Sequence, residues 1–220
     1  IYFSRPDSVI DGQLAYESRL KMGRSLAREH PVEADIVIGV PDSAIPAAIG
    51  YANESKIPYT EGLIRNRYVG RTFISPNQKL RELGVKTKFN VLNEVVRGQR
   101  IILIDDSIVR GTTTSRVIEM IKDAGAKEIH MRVSSPPITS PCFFGVDMAT
   151  TSELIANKFS VEKIRKVLGA DSLGFLSVNN LKESVNASEN NYCKACFTGD
   201  YPMPVQLDFD KFHLEKIRQK

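Results

Sequence analysis

The chain has 220 residues, of which 42% are hydrophobic, and this favours one globular domain with a sizeable core. No apolar run approaches the roughly 20 residues that span a bilayer, and the start carries no signal-peptide pattern, so we expect a cytoplasmic protein with no membrane partner. The 30 Lys and Arg residues and 26 Asp and Glu residues give a net charge of +4, which is too mild and scattered to indicate nucleic-acid binding.

Strand and helix patterns alternate along the first half of the chain. The first residues are typical of a strand, and residues 11–29 carry apolar side chains at helical spacing up to His30 and Pro31. This alternation predicts an α/β fold with a mostly parallel central sheet flanked by helices. Strands are predicted at 34–40, 56–59, 101–105 and 128–134, with helices after Ser43 through Asn53 and over 113–124.

The second half of the chain is less regular. Thr151–Glu153 is typical of the start of a short helix, and Ser160 of the N-cap of a helix that runs to Leu168. A late strand is predicted at 174–178. His130, Phe143 and Phe144 are expected to pack in the core.

A change in composition predicts where the domain ends. Beyond Glu183 the chain becomes polar. We therefore predict one domain over 1–185 and a helical or irregular C-terminal tail over 186–220.

The segment from about residue 65 to 90 is polar and basic and contains Gly70 and Gly84. A long segment of this kind inside a domain is usually a functional loop, although a solvated basic face is the more common meaning of such a charge run. Its cations would suit a ligand of high negative charge. They are Arg65, Arg67, Arg71, Lys79 and Arg81.

The most informative stretch of the chain is 101–114. Four apolar residues lead into Asp105 and Asp106, and a short turn with Gly111 then leads into a helical pattern. A buried parallel strand that opens into a helix N-terminus is a common anion site, because the free N–H groups point at the ligand. The carboxylates suit hydroxyl groups or a divalent cation beside that anion. A strand-end Asp pair that only caps the helix is the simpler alternative.

A second turn from strand to helix lies at Val40–Ala44. The N–H groups of such a turn can contact phosphate oxygens, and the Ser43 hydroxyl can join a metal site. An ordinary N-cap serine would be the more common case for this residue taken alone.

The cysteines form a third constellation. Cys193 and Cys196 are separated by two residues, and Cys142 lies about fifty residues earlier. Three cysteines are a poor disulfide framework, but they can bind a metal or carry redox chemistry. Free buried thiols remain the alternative.

Taken together, these motifs resemble the type I phosphoribosyltransferases, and among them the amidophosphoribosyltransferases. The resemblance runs from residue 1 to about residue 204. It is carried by the stretches IYFSRPDS at 1–8, VPDSA at 40–44, RNRYVGRTFI at 65–74 and CKACFTGDYP at 193–202, together with the turn after Asp105. It implies the type I phosphoribosyltransferase fold and a pentosyltransferase that uses phosphoribosyl pyrophosphate (PRPP).

The resemblance also implies roles for individual residues. Asp105 and Asp106 would face the ribose hydroxyls and a Mg²⁺ ion that Ser43 also helps to bind. The basic loop would close over PRPP, with Arg71 and Lys79 approaching the pyrophosphate. The turn that binds pyrophosphate would be Pro41, Asp42, Ser43 and Ala44, and the 5′-phosphate would be held by Ser107, Ile108, Val109, Arg110, Gly111, Thr112, Thr113 and Thr114.

The reaction implied by the resemblance is the first step of purine synthesis. PRPP and ammonia would give 5-phosphoribosylamine and pyrophosphate, with ammonia supplied from glutamine by a glutaminase domain that these residues do not contain. We therefore expect the chain to be one part of a larger enzyme. Purine nucleotides would act as feedback inhibitors, and the enzyme would be a homodimer or homotetramer.

In one branch of that family, positions matching Cys142, Cys193 and Cys196 hold a [4Fe–4S] cluster, with a fourth cysteine just ahead of residue 1. Thiolates suit such a cluster, and zinc is the second choice of metal. Two rival functions remain beside the transferase. One is a type I phosphoribosyltransferase acting on a free base. The other is a regulator that binds PRPP and nucleic acid without catalysis.

Overall fold

Four parallel strands form the central sheet in a computed structural model, which describes residues 4–66, 88–146, 150–186 and 192–205. The sheet order is β3–β6–β7–β8, and the pairs β1–β2 and β4–β5 are antiparallel. The strands are β1 Val9–Ile10, β2 Gln13–Leu14, β3 Ile36–Gly39, β4 Leu63–Arg65, β5 Phe89–Val91, β6 Arg100–Asp105, β7 Glu128–Val133 and β8 Ser172–Phe175.

Helices flank this sheet and confirm the predicted α/β class. None of the helices in the described ranges is both long enough and apolar enough to cross a membrane. They are α1 Ala15–Glu29, α2 Ile45–Ser55, α3 Asn93–Val96, α4 Thr112–Asp123, α5 Ile155–Lys158, α6 Val161–Leu168, α7 Val178–Ser184 and α8 Ala195–Thr198, and a 3₁₀ turn covers Thr151–Glu153.

The middle strands are buried on both faces. Ile38 pairs with Leu103 in β6, and Leu103 pairs with Met131 in β7. All three side chains are fully buried. This explains why the strands are nearly continuous apolar runs, since a parallel sheet covered by helices has no solvent-facing side.

Helices α1 and α2 approach each other so closely that only glycine fits at two of their contacts. A Cβ atom on Gly23 would lie 1.9 Å from the Ala47 carbonyl oxygen, and one on Gly50 would lie 2.1 Å from the Leu20 carbonyl oxygen. Because α2 also packs on β3 and β6, this contact fixes the depth at which α2 lies on the sheet.

The predicted first helix begins later than expected. Residues 9–14 form the β1–β2 hairpin, and α1 starts only at Ala15. Asp11 and Gly12 occupy the turn with φ of 49° and 74°, and an Asp-Gly pair adopts this left-handed conformation readily.

The strand predicted at 56–59 is wrong. Lys56 is instead the left-handed C-cap of α2, with φ of 64°. Only Tyr59 pairs with the sheet, through an isolated bridge to Val37.

The predicted loop over 65–90 is shorter than expected at both ends. Leu63–Arg65 and Phe89–Val91 pair as an antiparallel ribbon, and the Asn66 N–H donates to the Lys88 carbonyl at 2.8 Å. Residues 67–87 lie outside the described part of the chain, and with them Arg67, Arg71, Lys79 and Arg81.

The later elements partly follow the prediction. The Ser160 hydroxyl caps α6 by accepting from the Lys163 N–H, as predicted. The late strand ends earlier than expected, because Ser177 caps α7, a helix that the sequence reading missed. Phe144 is 43% exposed and not in the core, where it had been expected to pack.

The described residues of the tail lie against the domain. Tyr192 donates to Asp11 in the β1–β2 hairpin at 2.6 Å, and Tyr201 donates to the Pro141 carbonyl at 2.7 Å. Ala195 in α8 is buried. The boundary predicted at residue 185 stays a prediction, and residues 206–220 lie outside the described part.

Candidate active site

Two strand-to-helix turns meet at the carboxyl edge of the sheet. Strands β3 and β6 are parallel neighbours, so the turn after β3 and the acidic pair at the end of β6 lie side by side. The Val40 N–H donates to the Ile104 carbonyl at 2.8 Å. The Ser43 side chain lies within hydrogen-bonding reach of Asp106. Residues more than sixty positions apart in the sequence therefore form one site.

The two carboxylates of this site differ in their surroundings. Asp105 is only 8% exposed, and its Oδ1 accepts from the backbone N–H of Asp106 at 2.9 Å. Asp106 is half-buried and accepts from the Ser107 hydroxyl at 3.0 Å. Both lie where β6 leaves the core, so their remaining lone pairs can serve a ligand at the sheet edge.

Burial dominates the electrostatics of the pair. It raises the pKa of Asp105 well above the usual range, the Asp106 charge raises it further, and the Lys88 cation opposes both. Burial also raises the pKa of Asp106, against the Ser43 hydrogen bond and the Arg19 charge. A cation or a set of hydroxyl donors beside the pair would favour the ionised carboxylates and so oppose the effect of burial.

The turn after β3 presents backbone and a hydroxyl. A cis peptide bond joins Pro41 and Asp42. Ala44 is the N-cap of α2 and makes no side-chain cap, so Ser43 is not the ordinary N-cap serine. The exposed Asp42 carboxylate accepts from Arg65 at 2.7 Å.

The phosphate loop, residues 107–114, leads from β6 into α4. Gly111 is the N-cap with φ of 79°, and no side chain caps the helix. The first N–H groups of α4 can therefore donate to an anion. A Cβ atom on Gly111 would lie 2.7 Å from Ile155 Cδ1, so the loop passes close to α5.

The side chains of the phosphate loop point in different directions. Ile108 and Thr114 are buried, so they could contact a ligand only through the backbone. Thr112 is half-buried and Thr113 is exposed at the start of α4. The Arg110 guanidinium donates two hydrogen bonds to the Glu153 carboxylate.

Two charged residues near the acidic pair were missed by the sequence reading. Arg19 in α1 is 3% exposed and acts electrostatically on Asp106. Arg19 lies three residues before Met22, so helical spacing places it on the buried face of α1. This spacing could have identified Arg19 from the sequence. Lys88 acts on Asp105 and lies 5.3 Å from the centroid of the Phe89 ring. Nothing in the sequence distinguished Lys88 from the other cations of its segment.

The three cysteines line one cavity of about 350 Å³, whose lining includes Arg19 but neither Asp105 nor Asp106. All three thiols are free. Within the described ranges, no group of three or more His, Cys, Asp or Glu side chains is arranged to hold a metal ion. Cys142, Cys193 and Cys196 therefore surround one cavity, but with the other described residues they do not form a complete set of metal ligands.

Backbone contacts hold the cysteine segments together. The N–H groups of Thr139 and Ser140 donate to the Cys196 carbonyl at 2.9 and 3.1 Å. Burial raises the pKa of Tyr201, and the nearby thiols of the three cysteines raise it further, against a hydrogen bond with Ser140. The tail and the loop after β7 therefore meet at this cavity.

A turn with free backbone N–H groups beside an acidic pair, both at the carboxyl edge of a parallel sheet, is typical of α/β domains that bind nucleotides or sugar phosphates. Residues 18–135 match the family model described as "Phosphoribosyl transferase domain". The chain belongs to this family.

Its similar relatives carry a more particular name. The chain is 59% identical over 207 residues to amidophosphoribosyltransferase of Archaeoglobus fulgidus, covering 93% of this chain and 45% of the relative. It is 54% identical over 212 residues to amidophosphoribosyltransferase of Bacillus subtilis, covering 94% and 44%. The chain thus spans less than half the length of these curated relatives.

A solved structure gives the same comparison in three dimensions. Glutamine PRPP amidotransferase from Bacillus subtilis, in complex with ADP and GMP, matches with a TM-score of 0.86 and 52% identity. The match covers 97% of this chain and 48% of that one. The predicted phosphoribosyltransferase fold is therefore confirmed.

Proposed function

We propose that this chain is the PRPP-binding and transferase part of an amidophosphoribosyltransferase. The observation that carries the proposal is the meeting of the Ser43 turn with Asp105, Asp106 and the uncapped N-terminus of α4. PRPP carries a pyrophosphate, two ribose hydroxyls and a 5′-phosphate, and the site offers a separate element for each. The names of the similar relatives favour this activity over transfer to a free base.

Each element has a role in binding PRPP under this proposal. The backbone N–H groups of residues 41–44 bind the pyrophosphate, and those of the phosphate loop bind the 5′-phosphate. Asp105 and Asp106 accept hydrogen bonds from the ribose hydroxyls. Arg71 and Lys79 approach the leaving group when the basic loop closes and excludes water.

The residues of the site fit a Mg²⁺ ion. Ser43, Asp105 and Asp106 would supply hard oxygen ligands. A cation beside the two Asp side chains would favour their ionised forms, against the burial that raises the pKa of each. Mg²⁺ is usually bound through one or two carboxylates together with substrate phosphates and water, so a complete protein cage is not needed. When bound, the ion would neutralise charge on the pyrophosphate.

The protein has little covalent chemistry to perform in this reaction. The nitrogen lone pair of ammonia forms a bond to C1 of the ribose, while the bond from C1 to the pyrophosphate oxygen breaks and its electrons leave with pyrophosphate. The new amine then loses a proton to solvent. Ammonia is already a nucleophile, so the residues mainly orient PRPP and stabilise the charge of the leaving group.

We further propose that Cys142, Cys193 and Cys196 hold a [4Fe–4S] cluster. They line one cavity, and thiolates are the usual ligands of such a cluster. The sequence has three cysteines, so a fourth ligand would have to come from outside it, just ahead of residue 1. The cluster would join the tail to the loop after β7.

The larger assembly follows from the same proposal. Ammonia would come from glutamine through a glutaminase domain, purine nucleotides would inhibit, and the enzyme would be a homodimer or homotetramer. The cytoplasmic location predicted from the sequence stays a prediction.

One experiment tests the transferase proposal directly. The protein is titrated with PRPP and Mg²⁺, and ammonia-dependent release of pyrophosphate is then measured. We expect saturable binding and release that depends on ammonia. Binding of PRPP without any such release would contradict the catalytic assignment and favour a regulator. Release that requires a free purine or pyrimidine base would favour the other class of phosphoribosyltransferase.

A further inference from the structure

The Arg110 side chain belongs to the phosphate loop and binds a carboxylate from a distant segment of the chain. Its Nε donates to Glu153 Oε1 at 3.0 Å and its Nη2 donates to Glu153 Oε2 at 3.2 Å. This two-point contact joins residues 43 positions apart, and both side chains are about 40% exposed. A guanidinium held at two atoms loses most of its freedom, because its planar fork matches a carboxylate.

Glu153 is itself fixed by its own segment. It closes a capping box with Thr150, whose backbone N–H donates to Glu153 Oε2 at 3.3 Å. The hydrogen bond from Arg110 is the largest of the effects that lower the pKa of Glu153. The carboxylate is therefore ionised and held in place before any ligand arrives.

The same segment also supports the backbone of the phosphate loop. The Ile155 N–H donates to the Val109 carbonyl at 2.9 Å. Val109 packs against the fully buried pair Ile138 and Leu154. The Arg110 contact is thus the charged member of a set of contacts between the phosphate loop and residues 150–155.

We propose that Glu153 is a positioning residue that holds the phosphate loop in its PRPP-binding form through Arg110. It touches no substrate itself. The inference rests on the proposed PRPP binding. Without Glu153, Arg110 and its peptide groups would sample other orientations, and the loop would have to be ordered at a cost when the 5′-phosphate binds.

Glu153→Gln tests this role while leaving the capping box possible, because a glutamine oxygen can still accept from the Thr150 N–H. Arg110→Gln and the double variant complete a double-mutant cycle. Glu162→Gln is the matched control, since Glu162 binds Arg165 through the same two guanidinium nitrogens, at 2.8 and 2.7 Å, in helix α6. The dissociation constant for PRPP with Mg²⁺, the KM for PRPP, kcat and the Tm are measured on the purified protein with its natural termini.

We expect Glu153→Gln and Arg110→Gln each to weaken PRPP binding about three- to fivefold, with KM rising and kcat little changed. The double variant should be no weaker than either single variant. Glu162→Gln should bind PRPP like the unmodified protein, with a similar small change in Tm.

Three results would overturn the inference in different ways. Equal PRPP affinity for Glu153→Gln and Glu162→Gln would remove the positioning role and leave the proposed function standing. If the unmodified protein failed to bind PRPP, both the function and this inference would fall. A variant that lost kcat and affinity together with a large fall in Tm would indicate a merely structural role.

Discussion

The Arg65 guanidinium donates to the Asp42 carboxylate at 2.7 Å, and this contact ties the β4–β5 ribbon to the turn after β3. Asp42 places a negative charge in the very turn that we propose binds pyrophosphate. Arg65 offsets that charge. The pair therefore matters more for an anionic ligand than for folding.

Substitutions at this pair should act in opposite directions on PRPP binding. Arg65→Gln leaves the Asp42 charge without its partner beside the pyrophosphate, so we expect KM for PRPP to rise about three- to tenfold. The double variant Arg65→Gln/Asp42→Asn should recover much of that loss. The free energy of unfolding should change by less than about 1 kcal/mol, because both side chains are exposed. Steady-state kinetics and urea unfolding measure the two effects, and no recovery in the double variant would contradict this explanation.

Asp105→Asn should lower the activity and raise the stability of the folded protein. Because the pKa of Asp105 is higher in the folded protein than when unfolded, the folded state binds more protons and stability falls as pH rises above the ordinary value of 3.8. The asparagine variant lacks that penalty, so we expect a higher Tm than the unmodified protein at pH 7 and a shallower decline from pH 4 upward. The kcat should fall about 100-fold or more if the carboxylate serves the reaction. A parallel decline in Tm for both proteins would contradict the pKa argument.

Gly111→Ala should lower the free energy of unfolding by more than the left-handed backbone at this position alone explains. Gly169 is a matched control, since its φ of 77° is close to the 79° of Gly111, yet no atom lies within 4 Å of its Cβ position. We expect Gly169→Ala to destabilise by about 1 kcal/mol. Gly111→Ala should cost about 1–3 kcal/mol more, because its methyl group would collide with Ile155 Cδ1, and it should also weaken PRPP binding. Chemical denaturation curves compare the two, and equal costs would show that the close approach to α5 is easily relieved.

Lys88→Met should shift the acid limb of the pH–rate profile. The Lys88 cation lowers the pKa of Asp105 against the effects of burial, so its removal should raise that pKa further. If Asp105 must be ionised for activity, the acid limb should then move to higher pH. Lys163→Met, on the exposed side of α6, serves as the control and should leave the profile in place. An unmoved acid limb in Lys88→Met would show that the charge of Lys88 does not reach the acidic pair.

Replacement of the cysteines should reveal the metal. Cys142→Ser, Cys193→Ser and Cys196→Ser should each lower bound iron and the visible absorbance of a [4Fe–4S] cluster after anaerobic purification. Tyr201→Phe is the control: it keeps the aromatic ring beside the cavity, so the protein should retain its bound iron and its visible absorbance. Elemental analysis that finds zinc in place of iron would identify the other metal, and full iron retention in all three serine variants would contradict the ligand assignment.

The sequence was sufficient where one short segment determined the structure. The apolar run at β6 predicted a buried strand because a parallel sheet has no polar side. The Ser160 cap was predicted because the cap and its N–H partner in Lys163 lie three residues apart. The placement of Asp105 and Asp106 at a strand end followed for the same reason.

Contacts between distant segments could not be predicted in this way. The β4–β5 ribbon joins residues 63–65 to 89–91, and the Arg110 contact with Glu153 spans 43 positions. Lys56 was assigned to a strand because its left-handed φ depends on how α2 ends, which composition does not reveal. Single-sequence patterns report local preference, whereas these features depend on tertiary packing.

The close contact between α1 and α2 constrains the candidate active site from a distance. Gly23 and Gly50 set how deeply α2 lies, and the N-terminus of α2 carries the turn with Ser43. A single added methyl group at either glycine would lift the helix from its neighbour, and the turn would move with it. The alignment of Ser43 with Asp106 is thus set partly by the thickness of a helix interface, so the accuracy of the site depends on two residues that have no functional group at all.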